Sequence, residues 1–295
     1  MASAAVKIRL HSALLLLVLA PAAGFAAAEE TLFARVAHDS SEQPQALQLA
    51  IVSYGPEGAP RNFDVDLISA IHIGDEDYYA ELNKRFMDYD AVLYELVAPR
   101  GTVVRDDDPR QRGALSTAQL GLTRMLGLSF QLDEIDYEAD NLVHADLSGE
   151  ELSQSMEERG ESLYVYFWRV FYASVREYAK DPLGLRDLQT LAAIMKPGQG
   201  PTLKTLFAYE ITNLDSIQDI LGEDSDSAII GARNERAIEV LRAQLDKGSK
   251  RIGIFYGVGH MPDLEARLAA MGLVRTDTVW IDAWKLAAEP SAELE

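Results

Sequence analysis

The chain has 295 residues, 47 acidic against 27 basic, a formal net charge of −20 at pH 7 and no cysteine. Phosphate backbones and anionic lipid are held by Lys and Arg that displace counterions, so this acidic balance argues against both, and no nucleic-acid partner is expected. The absence of cysteine excludes a disulfide framework, a thiol nucleophile and a lipoprotein anchor.

At the start, Lys7 and Arg9 precede an apolar stretch from Ala13 to Ala23 that is too short to span a bilayer, and Ala26, Ala27 and Ala28 precede Glu29. That layout is a cleavable signal peptide over residues 1–28, cut after Ala28 with Ala26 the next choice. The expected mature protein is periplasmic or secreted, keeps no stable membrane anchor, and carries 25 basic against 47 acidic residues, a net −22. Residues 29–295 suit a single α/β domain with ample chain for a core, and nothing in the sequence sets an oligomeric state.

Strands are expected at Leu32 to His38, Leu47 to Tyr54 and Phe63 to Ile71, then a helix from Tyr78 to Met87 and a short buried strand from Ala91 to Leu96. Strand, helix, strand implies a parallel pair with a helical crossover, which opens a crevice at the carboxyl ends of the strands. The middle reads as helices: Thr117 to Leu126, Gly149 to Ala179, Leu183 to Met195, Pro201 to Leu221 and Ser227 to Lys247. Asp106 to Gly113 and Gly222 to Ser227 read as exposed turns. Within the second helix, Tyr164 to Tyr178 is strongly aromatic; Arg169, Arg176 and Glu177 interrupt it, which favours a helix over a cleft or in the core rather than a membrane span. Arg251 to Tyr256 returns to strand, Asp263 to Met271 to helix and Thr278 to Ala283 to strand. The fold class expected is therefore a mixed, largely parallel sheet built from two related strand-helix-strand halves, with a large helical insertion at about 115–247 between them.

The two halves carry a repeat. Leu67 to Leu96 and Ile252 to Ala283 each run from an apolar strand into a tetrad closing on histidine, SAIH at Ser69 to His72 and GVGH at Gly257 to His260. Each has an Asp three residues on, Asp75 or Asp263, then a helix and a second apolar run that opens on Asp90 or Asp277 and carries Glu95 or Asp282 near its end. Imidazole just past a strand end, after small residues that let a ligand approach the backbone, suits metal binding or proton transfer. Should the copies adjoin, His72, His260 and Glu95 make a set for a divalent metal with positions left for water and substrate. Glu95 is then either a ligand or the general base on the metal's water, and Asp282 is an extra candidate ligand.

Arg233 and Asn234 sit in a helix with an apolar face. Arg233 either pairs with a neighbouring glutamate on the surface or points into the crevice to hold a carboxylate or developing oxyanion, and periodicity leaves both open. His144 reads as structural, ahead of a helix capped by Asp146 or Ser148. No GxSxG elbow supports a serine hydrolase.

The strand ending in AIHIGD, the following VLYEL, the helical RN dipeptide and the late GVGHMPDLEARL together resemble the TraB/GumN family. That family is related to the TIKI metalloproteases and, more distantly, to erythromycin esterases and ChaN-like haem-associated proteins. The resemblance covers nearly all of residues 29–295 and extends to IDYEADNLVHAD. It matches His72 and His260 to the family's two GxxH histidines, Glu95 to its acidic residue and Arg233 to its arginine. Ser69 stands where the family has glycine, a change the turn accepts at negative φ. What the resemblance implies is an α/β fold with a helical insertion and, from the TIKI members, metal-dependent peptide cleavage with a manganese or cobalt-type ion; the function expected is an exported metal-dependent hydrolase of a peptide or other amide or ester bond, with manganese, cobalt or zinc as its divalent ion. A non-catalytic periplasmic binding or regulatory protein, holding a peptide signal or haem, is the alternative.

Overall fold

The computed structural model describes residues 33–58, 62–100, 102, 126–161, 200–212 and 227–286. The segment expected as a signal peptide, the turn expected at Asp106 to Gly113, almost all of Thr117 to Leu126, the aromatic stretch from Tyr164 to Tyr178 and the helix expected at Leu183 to Met195 lie outside them. Among the described residues no helix is long and apolar enough to cross a membrane.

The protein is mixed α/β with a mostly parallel central sheet. Four strands form its parallel part: β3 (Asp64–Ala70), β8 (Arg251–Gly257), β5 (Ala91–Tyr94) and β7 (Leu142–His144) lie side by side in that order. Ile252 to Tyr256 of β8 and Ala91 to Tyr94 of β5 are buried at successive positions, the pattern of parallel strands covered on both faces. Beyond β3 comes β2 (Pro44–Pro56), antiparallel to it, and β2 in turn pairs antiparallel along its length with β9 (Leu273–Lys285). β1 (Ala34–His38) pairs with the first part of β2.

The expected parallel pairing of β3 with β5 is corrected in one respect. They run in the same direction, but β8 lies between them and bonds to both. The second unit differs more: β9 leaves β8 and crosses to the antiparallel partner β2. The middle of the chain is not wholly helical either, since β7 falls inside it and joins the main sheet, while β4 (Ile73–Gly74) and β6 (Ser129–Phe130) make a separate two-stranded pair.

Helix α1 (Glu76–Phe86) puts acidic Glu76 and Asp77 in its first turn and Lys84 and Arg85 in its last, matching the macrodipole. It buries Tyr78, Tyr79, Leu82 and Phe86, and Phe86 meets Phe255 of β8 edge-on at 5.1 Å. After the short α2 (Gln131–Glu134), α3 (Gly149–Glu158) starts at a capping box in which Ser148 Oγ accepts from the Glu151 N–H and Glu151 accepts from the Ser148 N–H. It ends well before Ala179: Arg159 closes it and Gly160 follows at φ 66°, a left-handed stop that glycine takes without strain. Within the stretch read as Pro201 to Leu221, α4 spans Gly200–Thr212. Ser227 caps a π-helical turn (Ala228–Ala232) that runs directly into α5 (Arg233–Asp246). Such a turn rotates the side chains that follow, and Arg233 is the first residue after it. A 3₁₀ turn (Val258–His260) joins β8 to α6 (Met261–Ala270), with proline at its start, where a missing N–H costs nothing.

Candidate active site

Glu95, Arg233 and His260 meet past the carboxyl ends of β5 and β8. Glu95 directly follows β5, and its carboxylate reaches sideways to β8: Oε2 accepts the Gly257 N–H at 2.7 Å. A Cβ on residue 257 would come to 3.2 Å from that oxygen, so glycine there gives the carboxylate room to approach the backbone. The other oxygen, Oε1, accepts from Arg233 Nη2 at 2.7 Å and lies 3.5 Å from His260 Nε2.

Arg233 is 4% exposed and is held in a fork by Asp146, with Nε and Nη2 donating to its two oxygens at 2.9 and 2.6 Å. Asp146 is itself 1% exposed. Burial works against the guanidinium charge, but the Glu95 and Asp146 carboxylates outweigh it and raise its pKa. Burial alone would likewise push the Glu95 carboxyl up; Arg233, then His260 and His72, reverse this and hold it well below the usual carboxylate range. Two carboxylates, Glu95 and Asp146, thus share one guanidinium, and Glu95 also faces His260. No hydrogen bond engages Arg233 Nη1, which leaves two donors unspent.

The protonation of His260 follows from a chain of partners. Arg267 Nε donates to Asp263 Oδ2 at 2.6 Å, and Asn234 Nδ2 donates to the same oxygen at 2.7 Å. A carboxylate only accepts, so Asn234 turns its nitrogen to Asp263 and its Oδ1 to His260 Nδ1, 2.7 Å away. Nδ1 therefore carries a hydrogen, and the ring turns Nε2 toward Glu95 Oε1. Asn234 Nδ2 also reaches the His260 carbonyl at 3.2 Å, and Tyr256 packs edge-on to the imidazole at 5.3 Å while its hydroxyl donates to the Ala145 carbonyl.

His72 is different. It is exposed, its ring makes no hydrogen bond, and only its backbone carbonyl is tied, by the Gln131 N–H at 2.9 Å. It stands near enough to Glu95 for its charge to lower that group's pKa. Ser69, where the turn needed a negative φ, has one, and its buried Oγ lacks a partner. Among the described residues no three His, Asp or Glu side chains are drawn together as closely as a metal ion requires. Asp282 is not brought to the corner: it faces solvent on edge strand β9, where Gln48 Nε2 donates to it at 2.7 Å. His144, on β7, is structural, with Nε2 2.6 Å from the Leu96 carbonyl.

The donor chemistry of the corner suits a divalent ion. Two donors about 2.1 Å from one tetrahedral ion lie about 3.4 Å apart, and His260 Nε2 and Glu95 Oε1 lie 3.5 Å apart. The residue that sequence reasoning missed is Asp146, weighed there only as a helix cap. Ser148 does the capping, and the Asp two residues earlier is freed for Arg233. The chain matches no protein-family model, no curated protein and no solved structure.

Proposed function

We propose that this chain is an exported, metal-dependent hydrolase of the TraB/GumN kind, acting on a peptide or another amide or ester bond. The observation that carries the reading is the His260–Glu95 pair: an imidazole Nε2, its ring oriented by Asn234 at Nδ1, and a carboxylate oxygen 3.5 Å apart in a buried corner. His260 and Glu95 would hold a manganese, cobalt or zinc ion, with His72, whose ring has no other bond, as the third ligand. Such an ion supplies an acidified water at neutral pH.

The chain's own groups do the rest. Glu95, kept ionised by Arg233, is placed to accept a proton beside His260. Arg233 offers Nη1 to a substrate carboxylate or developing oxyanion, and Asp146 fixes the direction of that fork. Asn234 and Asp263 keep the proton of His260 on Nδ1, away from the reacting side. The units β3–α1–β5 and β8–α6–β9 are read as related halves separated by a helix-rich insertion. The leader read at residues 1–28 would direct the mature chain to the periplasm or out of the cell.

The test is metal content by mass spectrometry on untagged mature protein loaded with manganese, cobalt or zinc, alongside His260→Ala and Glu95→Gln, followed by a peptidase and esterase screen. Near-stoichiometric metal in the wild type, lost in both variants, is the expected result; a wild type that takes up none sinks the hydrolase reading. One observation favours a second reading, a non-catalytic binding or regulatory protein for a peptide signal or haem: both Glu95 oxygens already accept hydrogen bonds, from Arg233 and Gly257. That protein would keep its ligand affinity after chelation.

A further inference from the structure

Beside the corner lies a pair of side chains with unmet hydrogen-bonding capacity. The β4–β6 pairing sets Phe130 against Ile73, which brings Gln131 up to the turn of His72, where its N–H bonds to the His72 carbonyl. The Gln131 side chain turns inward: the residue is 6% exposed, Nε2 donates to the Tyr137 hydroxyl at 2.8 Å, and Oε1 is buried with no partner. Tyr137 is 3% exposed and stacks edge-on against Tyr94 at 5.0 Å, the residue immediately before Glu95. Its oxygen is used as an acceptor, so its own proton is unspent, and no other hydrogen bond engages it.

The pair, tied to the His72 turn through the Gln131 backbone and close enough to Glu95 to feel its charge, thus has one vacant acceptor and one undonated hydrogen. Burial pushes the Tyr137 phenol up, with the nearby Glu95 charge adding to this, so the hydroxyl keeps its proton at every physiological pH. A buried polar group left without a partner is costly, which makes such a pair a selective receptor for whatever completes it. A peptide group carries both parts needed, an N–H and a carbonyl. An ester lacks the N–H and can answer only the phenol.

We propose that Gln131 and Tyr137 form a subsite for a substrate peptide group, Gln131 Oε1 accepting its N–H and the Tyr137 hydroxyl donating to a carbonyl. The assignment narrows the substrate class from amide or ester to peptide, and it rests on the reading that the crevice by Glu95 receives substrate.

The test is nuclear magnetic resonance on the uniformly ¹⁵N-labelled mature chain, with the Gln131 side-chain amide assigned from its loss in Gln131→Met. The probes are N-acetylalanine methylamide and its all-ester analogue, methyl O-acetyllactate, which has the same carbonyls and no N–H. The methylamide should shift that resonance saturably, the ester should bind about tenfold more weakly, and Tyr137→Phe should weaken methylamide binding about tenfold, the scale of one hydrogen bond. Thermal unfolding of both variants checks that they remain folded. A methylamide that leaves the resonance unmoved, as an internal water held there would dictate, overturns the proposal, and so does equal binding of amide and ester. Hydrolysis is scored separately on peptide mixtures: binding without cleavage sinks the hydrolase and leaves the subsite standing.

Discussion

The two histidine turns share a sequence pattern and differ in almost every contact. His260 is 5% exposed, with Nδ1 fixed by Asn234 and Nε2 facing Glu95, whereas His72 is exposed and its ring is unbonded. Even the aspartates three residues on diverge. Asp263 anchors Asn234 and Arg267, while Asp75 accepts from Lys204 Nζ and from the Lys285 N–H, tying α4 and β9 to the start of α1. The cause is sheet order. β8 has β5 as a neighbour and so receives Glu95, but the far side of β3 is taken by antiparallel β2, which brings no carboxylate to the turn. A repeated motif thus yields one rigid corner and one open one.

Removing the charge that holds the rigid corner should do the most damage. Arg233→Met strands Asp146 and Glu95 in a buried setting, and a loss of about 3–5 kcal/mol in urea unfolding is expected; a loss under about 1 kcal/mol would mean that the triad is not buried as described. Asn234→Ala leaves the His260 Nδ1–H without its acceptor, which should lower stability by about 2 kcal/mol and let the imidazole ¹⁵N shifts move away from the Nδ1–H tautomer. An unchanged tautomer would break the positioning chain. Gly257→Ala drives a methyl to 3.2 Å from Glu95 Oε2 and is expected to cost about 1 kcal/mol and to reduce metal uptake.

Acid sharpens the contrast further. The Glu95 pKa is depressed in the folded protein, so its contribution is fully present above the unfolded value of about 4.3 and is lost as the pH falls through the folded value. In acid titrations of stability Glu95→Gln should therefore flatten the profile below that pH. The smallest effect belongs to the open turn, where His72→Ala should change stability by no more than about 0.5 kcal/mol. A larger loss would make His72 structural and dissolve the distinction between the turns.

Much of this was legible in the chain. Apolar runs ending at Ile71, Leu96 and Tyr256 located three of the four parallel strands, and the strand-end rule then put His72, Glu95 and His260 at one rim. Arg233 was recognised as a candidate, but whether it faced inward depended on a π-helical turn that periodicity does not reveal. Asp146 escaped because ADLSGEE offers two capping residues and only tertiary packing decides which is free. Asp282 looked equivalent to Glu95 because local sequence repeats; strand order does not, and β9 pairs with β2 instead of joining the parallel core.

The position of β8 also bears on how the protein comes to exist. The strand that separates β3 from β5 is near the carboxyl end of the chain, so as synthesis proceeds both neighbours wait with open edges for a partner made late. A chain cut short before Arg251 has two strand edges to offer to other molecules and none of the rim contributed by Gly257 and His260. Assembly is then close to all-or-none: truncation fragments should aggregate without ever acquiring a partial site, and completion of the sheet and completion of the Glu95 corner are one event.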